Sequence, residues 1–150
     1  MTPDALAVSD RASWAAAAEQ KLSITVYYED TDAGGVVYYA NYLRFLERAR
    51  TEWLRGLGFV QSTLLQQTGL AFAVRDLAVE FLRPARLDDR LTVTAAVADH
   101  GRAQVVFAQR IERGSELLLR ARVRVVCLDL ARGKPAAMPP ALYEILRNRA

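Results

Sequence analysis

The sequence predicts an α+β fold in which a mainly antiparallel sheet curls around one long helix. Three observations carry this reading: a period-two apolar pattern ahead of residue 30, one long run of helical periodicity over about 41–57, and four period-two segments joined by short turns after residue 70. A single helix of that length must bury its apolar side against the sheet, and the sheet must bend to receive it. The 150 residues suit one domain. Residues 21–150 are read as that domain and 1–20, rich in Ala, as a flexible N-terminal extension.

Leu22, Ile24 and Val26 alternate with Ser23, Thr25 and Tyr27, which predicts a strand over about 22–29. The run Asp30-Thr31-Asp32-Ala33-Gly34-Gly35 ends it in a turn. Asn41 is predicted as the N-cap of a helix running to about Leu57. Its apolar side carries Tyr42, Leu46, Ala49, Trp53 and Leu57, with Arg48 and Glu52 as an i,i+4 pair opposite. Gly56 and Gly58 close the helix, and a short helical piece is expected near 61–68. Beyond Leu70 the apolar set Phe72, Val74 gives way to Leu77, Val79, Phe81, so the in/out phase slips by one residue near Arg75-Asp76 and predicts a β-bulge. Further strands are expected at about 90–99 and 103–113, with His100-Gly101 in their turn, and at 116–129 after Gly114-Ser115. In the last of these, Leu117, Leu119, Ala121, Val123, Val125 and Cys127 are expected to face the core. Arg120, Arg122 and Arg124 then form a positive stripe on the other face, read as a solvated outer sheet face or a salt-bridged subunit interface ahead of a phosphate-binding surface. After Pro135 a loop and one or two helical turns over 140–147 complete the chain.

Composition removes several classes of function. A lone Cys127 forms no intrachain disulfide and fits a reducing compartment, so a cytoplasmic location is expected. One Cys and one His leave no Cys/His metal site, and neither a metal nor another cofactor is predicted. No apolar run approaches the roughly 18 residues of a membrane span. The net charge of +3 permits an anionic ligand without calling for nucleic acid.

The segment from Tyr28 to Tyr42 concentrates unusual chemistry: Asp30 and Asp32 sit two residues apart, and paired glycines lead from them to a helix start. Two readings stand side by side. Asp beside Gly most often makes Asx-type turn hydrogen bonds. A carboxylate on the approach to a helix N-terminus also makes a catalytic arrangement, because the unpaired N–H groups there suit an oxyanion. Other motifs fail. An EF-hand starting at Asp30 would have Gly34 and Asn41 at its fifth and twelfth positions. No phosphate-binding glycine loop is present, and a Ser-His-Asp triad would have to use His100 in its turn. Glu47, one helical turn into the helix among Arg44, Arg48 and Arg50, reads as part of a structural ion pair.

The stretch VYYEDTDAGGVVYYANYLRFLERARTEWLR resembles the signature of hotdog-fold acyl-CoA thioesterases of the 4-hydroxybenzoyl-CoA thioesterase type, and within them the bacterial branch associated with the Tol-Pal envelope system. The resemblance continues through VEFLRPARLDDRL and VVFAQRI to VVCLD, covering about residues 22–140. It implies a hotdog fold, no cofactor, an acyl-CoA substrate and a homo-oligomer, dimer or tetramer, with the site between subunits. It also implies Asp32 as the catalytic carboxylate, Asp30 as a loop-ordering residue and the Tyr39 backbone N–H as a donor to the thioester oxygen. Many members of the Tol-Pal branch carry His where this chain has Tyr39. Gly35, Val36 and Asn41, around the same loop, are the expected substrate-binding positions, together with Arg102 beside a hairpin turn.

The implied reaction is hydrolysis of a thioester, with Asp32 as nucleophile or as general base toward water. A thiol of pKa about 8.5 leaves readily as thiolate, so a chain with one His needs no strong general acid. The competing reading is a hotdog scaffold that binds acyl thioesters or an acyl-carrier protein without hydrolysing them, in the service of envelope or lipid organisation.

Overall fold

A computed structural model describes residues 19–149 and shows the predicted α+β architecture. The elements are β1 (Gln20–Thr25), a 3-10 turn (Tyr28–Asp30), α1 (Asn41–Gly56), α2 (Gln61–Thr68), β2 (Leu70–Phe81), β3 (Arg90–His100), β4 (Gln104–Arg113), β5 (Glu116–Asp129), β6 (Lys134–Pro135) and α3 (Pro140–Arg149). One sheet in the order β1-β3-β4-β5-β2, with β6 on β5, is antiparallel throughout. Its curled inner face holds α1, which buries Tyr42, Phe45, Leu46, Ala49, Trp53 and Leu54. Trp53 meets Phe107 of β4 edge-on, ring centroids 5.1 Å apart. Each large side chain buried in this way contributes about 1.5–3 kcal/mol, so the spacing of apolar residues along α1 is what seats it on the sheet. The expected phase slip in β2 is present as a register shift between Val74 and Asp76 against β5.

Several local expectations are corrected. The first strand stops at Thr25, because Tyr28–Asp30 turns back and the Tyr27 N–H donates to Asp30 Oδ2 at 2.8 Å. Asn41 is the first residue of α1 and Ala40 flanks it, with no side-chain cap. Glu52 pairs with Arg55 one turn on, while the Arg48 guanidinium lies over the Phe45 ring. His100 ends β3 instead of standing in the turn. Leu118 joins the core alongside Leu119 whereas Leu117 does not, because the β4–β5 register shifts between Ile111 and Glu112. The tail adds a short strand, and α3 buries Leu142 and Leu146. Two arginines of this stripe are ion-paired within the chain: Arg120 bonds Glu80, and Arg124 is buried, 3.4 Å from Asp76 and hydrogen-bonded to Gln104. The expectation for residues 1–18 lies outside the described residues.

Candidate active site

The two aspartates of the loop do different work. Asp30 is buried, and both its carboxylate oxygens are used: Oδ2 by the Tyr27 N–H and Oδ1 by Asn41 Nδ2, each at 2.8 Å. Its carbonyl accepts the Tyr38 N–H at 2.9 Å. Asp32 is exposed, and among the described residues only its Oδ1 is engaged, by the Gly34 N–H at 2.8 Å. The Asx turn therefore orients the Asp32 carboxylate through Oδ1, which is the turn reading, and the side chain stays exposed. Gly35 needs the conformational freedom of glycine, and Gly34 leaves room for the Asp32 carboxylate. Gly35 has φ 79°, and a Cβ on Gly34 would stand 3.2 Å from Asp32 Oδ1.

A small ribbon sets the direction of these side chains. Thr31 pairs with Val37, Val36 pairs with Arg86, and the Val37 N–H donates to the Ala85 carbonyl. Val37 and Ala85 are buried, so the row Thr31, Val37, Ala85 faces inward and the adjoining row Asp32, Val36, Arg86 faces out. Tyr42 ties this ribbon to α1, its phenol oxygen accepting the Ala85 N–H at 2.9 Å. Burial pushes the Tyr42 phenol upward, the Ala85 N–H and the Arg113 charge oppose this, and the charges of Asp89 and Asp32 add to it. The phenol stays protonated at neutral pH.

The chain reaches α1 through Tyr38 to Ala40. The Asn41 N–H donates to the Tyr38 carbonyl, while the Tyr39 N–H donates to no acceptor among the described residues. An unpaired amide beside a helix start carries partial positive charge and suits an oxyanion. The Tyr39 ring is exposed and packs against Tyr38 and edge-on against Phe81, with centroids 4.9 and 6.4 Å away. Asp32, Gly35 and Val36 are brought together by main-chain bonds, the Asp32 N–H donating to the Val36 carbonyl and the Gly35 N–H to the Asp32 carbonyl, while Tyr39 stands two residues before α1 and Asn41 is tied to the loop by its bond to Asp30.

Arg102 is not brought there by the same chain. It lies beyond the end of β3, whereas the Asp32 loop packs at the other end, where the Val26 N–H meets the Asp89 carbonyl. Eleven residues of β3 separate the two ends by roughly 33 Å. The Arg102 guanidinium stacks over Tyr143 of α3, 5.1 Å from the ring centre, and Arg147 lines the same cavity. His100 also meets Tyr143 edge-on, ring centroids 5.9 Å apart, so the lone histidine belongs to this far end. Cys127 is a core residue whose thiol burial pushes upward.

Sequence reasoning missed a second polar feature. A cavity of about 190 Å³ between α1 and the sheet is lined by Glu47, Arg50, Trp53, Phe72 and Phe107 among others. Glu47 makes no ion pair within 4 Å among the described residues and borders this space instead. Arg50 Nη1 donates to Gln109 Oε1 at 2.9 Å, and burial lowers its pKa to about 10, against the charge of Glu47. Fully buried Gln109 is itself fixed by donating to the Leu46 and Thr94 carbonyls, both at 3.0 Å. The signal for this was a glutamine in the inward row Val105, Phe107, Gln109, Ile111. The space is large enough for one ring or a short chain, since an engineered cavity of about 150 Å³ holds benzene.

A curled antiparallel sheet around one helix is the fold of a thioesterase-like protein. Residues 26–146 match the thioesterase-like superfamily, and the chain belongs to it. It is 52% identical over 116 residues to the acyl-CoA thioesterase YbgC of Haemophilus influenzae, a match covering 77% of this chain and 85% of that one. The acyl-CoA thioester hydrolase YbgC of Escherichia coli O6:H1 is 48% identical over 120 residues, with 79% and 89% covered. A probable thioesterase from Bartonella henselae superposes with a TM-score of 0.78 at 36% identity, covering 81% of this chain and 100% of that one.

Proposed function

We propose that this chain hydrolyses acyl-CoA thioesters at the Asp32 loop. The observation that carries the reading is a carboxylate with one oxygen held by an Asx turn and the other free, on the loop that delivers an unpaired Tyr39 N–H to the start of α1. The relatives named above as acyl-CoA thioesterases support it.

Asp32 acts on the thioester carbonyl by one of two routes, direct attack to a mixed anhydride or deprotonation of an attacking water. Both place negative charge on the carbonyl oxygen, where the Tyr39 N–H and the helix start receive it. Collapse of the intermediate breaks the C–S bond, CoA departs as thiolate, and water supplies the oxygen of the product acid. The test is thiol release by Asp32→Asn across short, long and aromatic acyl-CoAs. Loss of most turnover with the assembly intact supports the role, and wild-type rates would end it.

A second copy fits the exposed edge of β2. That strand is an outer strand of the sheet, and Val74, Leu77 and Phe81 on it are exposed. Antiparallel pairing of two such edges would lay the Arg102 end of one copy beside the Asp32 end of the other, which gives Arg102 a route to the substrate. A cytoplasmic location accords with the single thiol, and no helix among the described residues is long and apolar enough to cross a membrane. An acyl-carrier protein offers the same pantetheine thioester as CoA and is the alternative donor.

A further inference from the structure

We propose that Arg86 binds the pantetheine arm of the substrate, its guanidinium donating to an amide carbonyl of the arm while Asp32 faces the thioester. This rests on the thioester reading of the Asp32 loop.

The geometry comes from the ribbon. The Asp32 N–H donates to the Val36 carbonyl at 2.9 Å and Val36 bridges Arg86, so Asp32, Val36 and Arg86 lie on three adjoining backbone segments with the Asp32 and Arg86 side chains exposed. Two interstrand spacings of about 4.8 Å set the Asp32 and Arg86 Cα atoms about 10 Å apart, with both side chains on one face. Arg86 is exposed, and its guanidinium makes no ion pair within 4 Å among the described residues. Its neighbours are engaged: Arg83 pairs with Glu116, and Arg113 pairs with both Glu116 and Asp89. Asp89, the carboxylate most available to Arg86, instead accepts the Arg86 main-chain N–H at 2.8 Å and Arg113 Nη1 at 2.6 Å on the same oxygen. Its remaining attraction to Arg86 acts at longer range. The backbone of Arg86 is thereby fixed and its side chain is left uncommitted.

The spacing selects the part of the substrate that is met. At about 1.2 Å of extension per bond, the two amide carbonyl carbons of pantetheine lie roughly 5 and 10 Å from the thioester sulfur, and the nearer phosphorus about 16 Å. A guanidinium on a residue about 10 Å from Asp32 stands level with the amides and short of the phosphates. Arginine suits this task because it is always charged and donates in a fixed fork.

The experiment measures binding of non-hydrolysable S-(2-oxoalkyl) analogues of CoA, pantetheine and N-acetylcysteamine by calorimetry, with wild type, Arg86→Ala, Arg86→Lys and Arg90→Ala. Loss of a charge-assisted hydrogen bond predicts about a ten- to hundredfold rise in Kd for the CoA and pantetheine analogues in Arg86→Ala, partly rescued in Arg86→Lys. The N-acetylcysteamine analogue should be affected least, and Arg90→Ala, an exposed change at the start of β3, should leave all three unchanged. An unchanged Kd for the pantetheine analogue in Arg86→Ala would overturn the proposal; if the CoA analogue alone weakened, the residue would be assigned to the phosphates instead. A wild type that binds the analogues but releases no thiol from any acyl-CoA would end the hydrolase reading and leave the Arg86 measurement standing.

Discussion

Asn41 Nδ2 donates to Asp30 Oδ1 at 2.8 Å, a buried hydrogen bond that ties the first turn of α1 to the loop carrying Asp32. Because Tyr27 holds the other oxygen of Asp30, one buried carboxylate fixes the entry and the exit of that loop. Removing one partner leaves a buried acceptor unpaired. Asn41→Ala is therefore expected to cost about 1–3 kcal/mol and to lower turnover through the displaced loop, read by urea unfolding and thiol release.

Gly35→Ala addresses the loop from the other side. At φ 79° an Ala is strained by about 1–2 kcal/mol, and the loop relieves this by moving Asp32. Gly34→Ala is expected to act more locally, since its Cβ would press on Asp32 Oδ1 and break the Asx turn. Both variants should fold, and both should lose thiol-release activity.

Tyr39→Phe is expected to keep nearly full activity, and Tyr39→Ala to lose less than Asp32→Asn, because the contact proposed for Tyr39 is main-chain. Steady-state kinetics on one acyl-CoA decides this. A loss in Tyr39→Phe as deep as that of Asp32→Asn would assign the work to the phenol.

Gln109→Leu replaces a fully buried amide with a side chain of similar volume. It removes the acceptor of Arg50 and the donor to two main-chain carbonyls. A destabilisation of about 2–4 kcal/mol is expected in urea unfolding, with the loss smaller when Arg50→Met is combined with it, since no guanidinium is then stranded.

The Arg113 cluster predicts a pH dependence. Burial raises Asp89, but the Arg86 N–H and the hydrogen bonds and charges of Arg113 outweigh it and hold the carboxyl below its ordinary value of 3.8. Glu116 is held below 4.5 chiefly by its hydrogen bond from Arg113. A depressed folded-state pKa stabilises the native state above the unfolded value and loses that contribution as pH falls through the folded value. The urea midpoint of wild type should therefore fall as pH is lowered below about 4, more steeply than that of Arg113→Gln.

Much of the architecture was legible in residue spacing. The helix over 41–56 follows from its apolar stripe, the bulge at Arg75 from a phase slip, and the last strand from alternation of Arg with apolar residues. Errors fell where a tertiary partner outbid a local preference. Asn41 has the chemistry of an N-cap, yet Asp30, eleven residues earlier, takes its amide. Arg124 looks solvent-facing by parity, yet Asp76 and Gln104 across the sheet allow it to be buried.

The candidate site divides in the same way. Asp32, Gly34 and Gly35 lie within four residues, so their juxtaposition is a matter of local turn chemistry that the sequence alone determined. The outward row of Asp32, Val36 and Arg86 required strands 50 residues apart to be paired, and the placement of Arg102 at the far end of the sheet required the full strand order. Gln109 beneath Arg50 needed α1 to be docked on the sheet. Periodicity and turn propensity are properties of neighbours along the chain, whereas which distant groups share a hydrogen bond or a face is decided by packing.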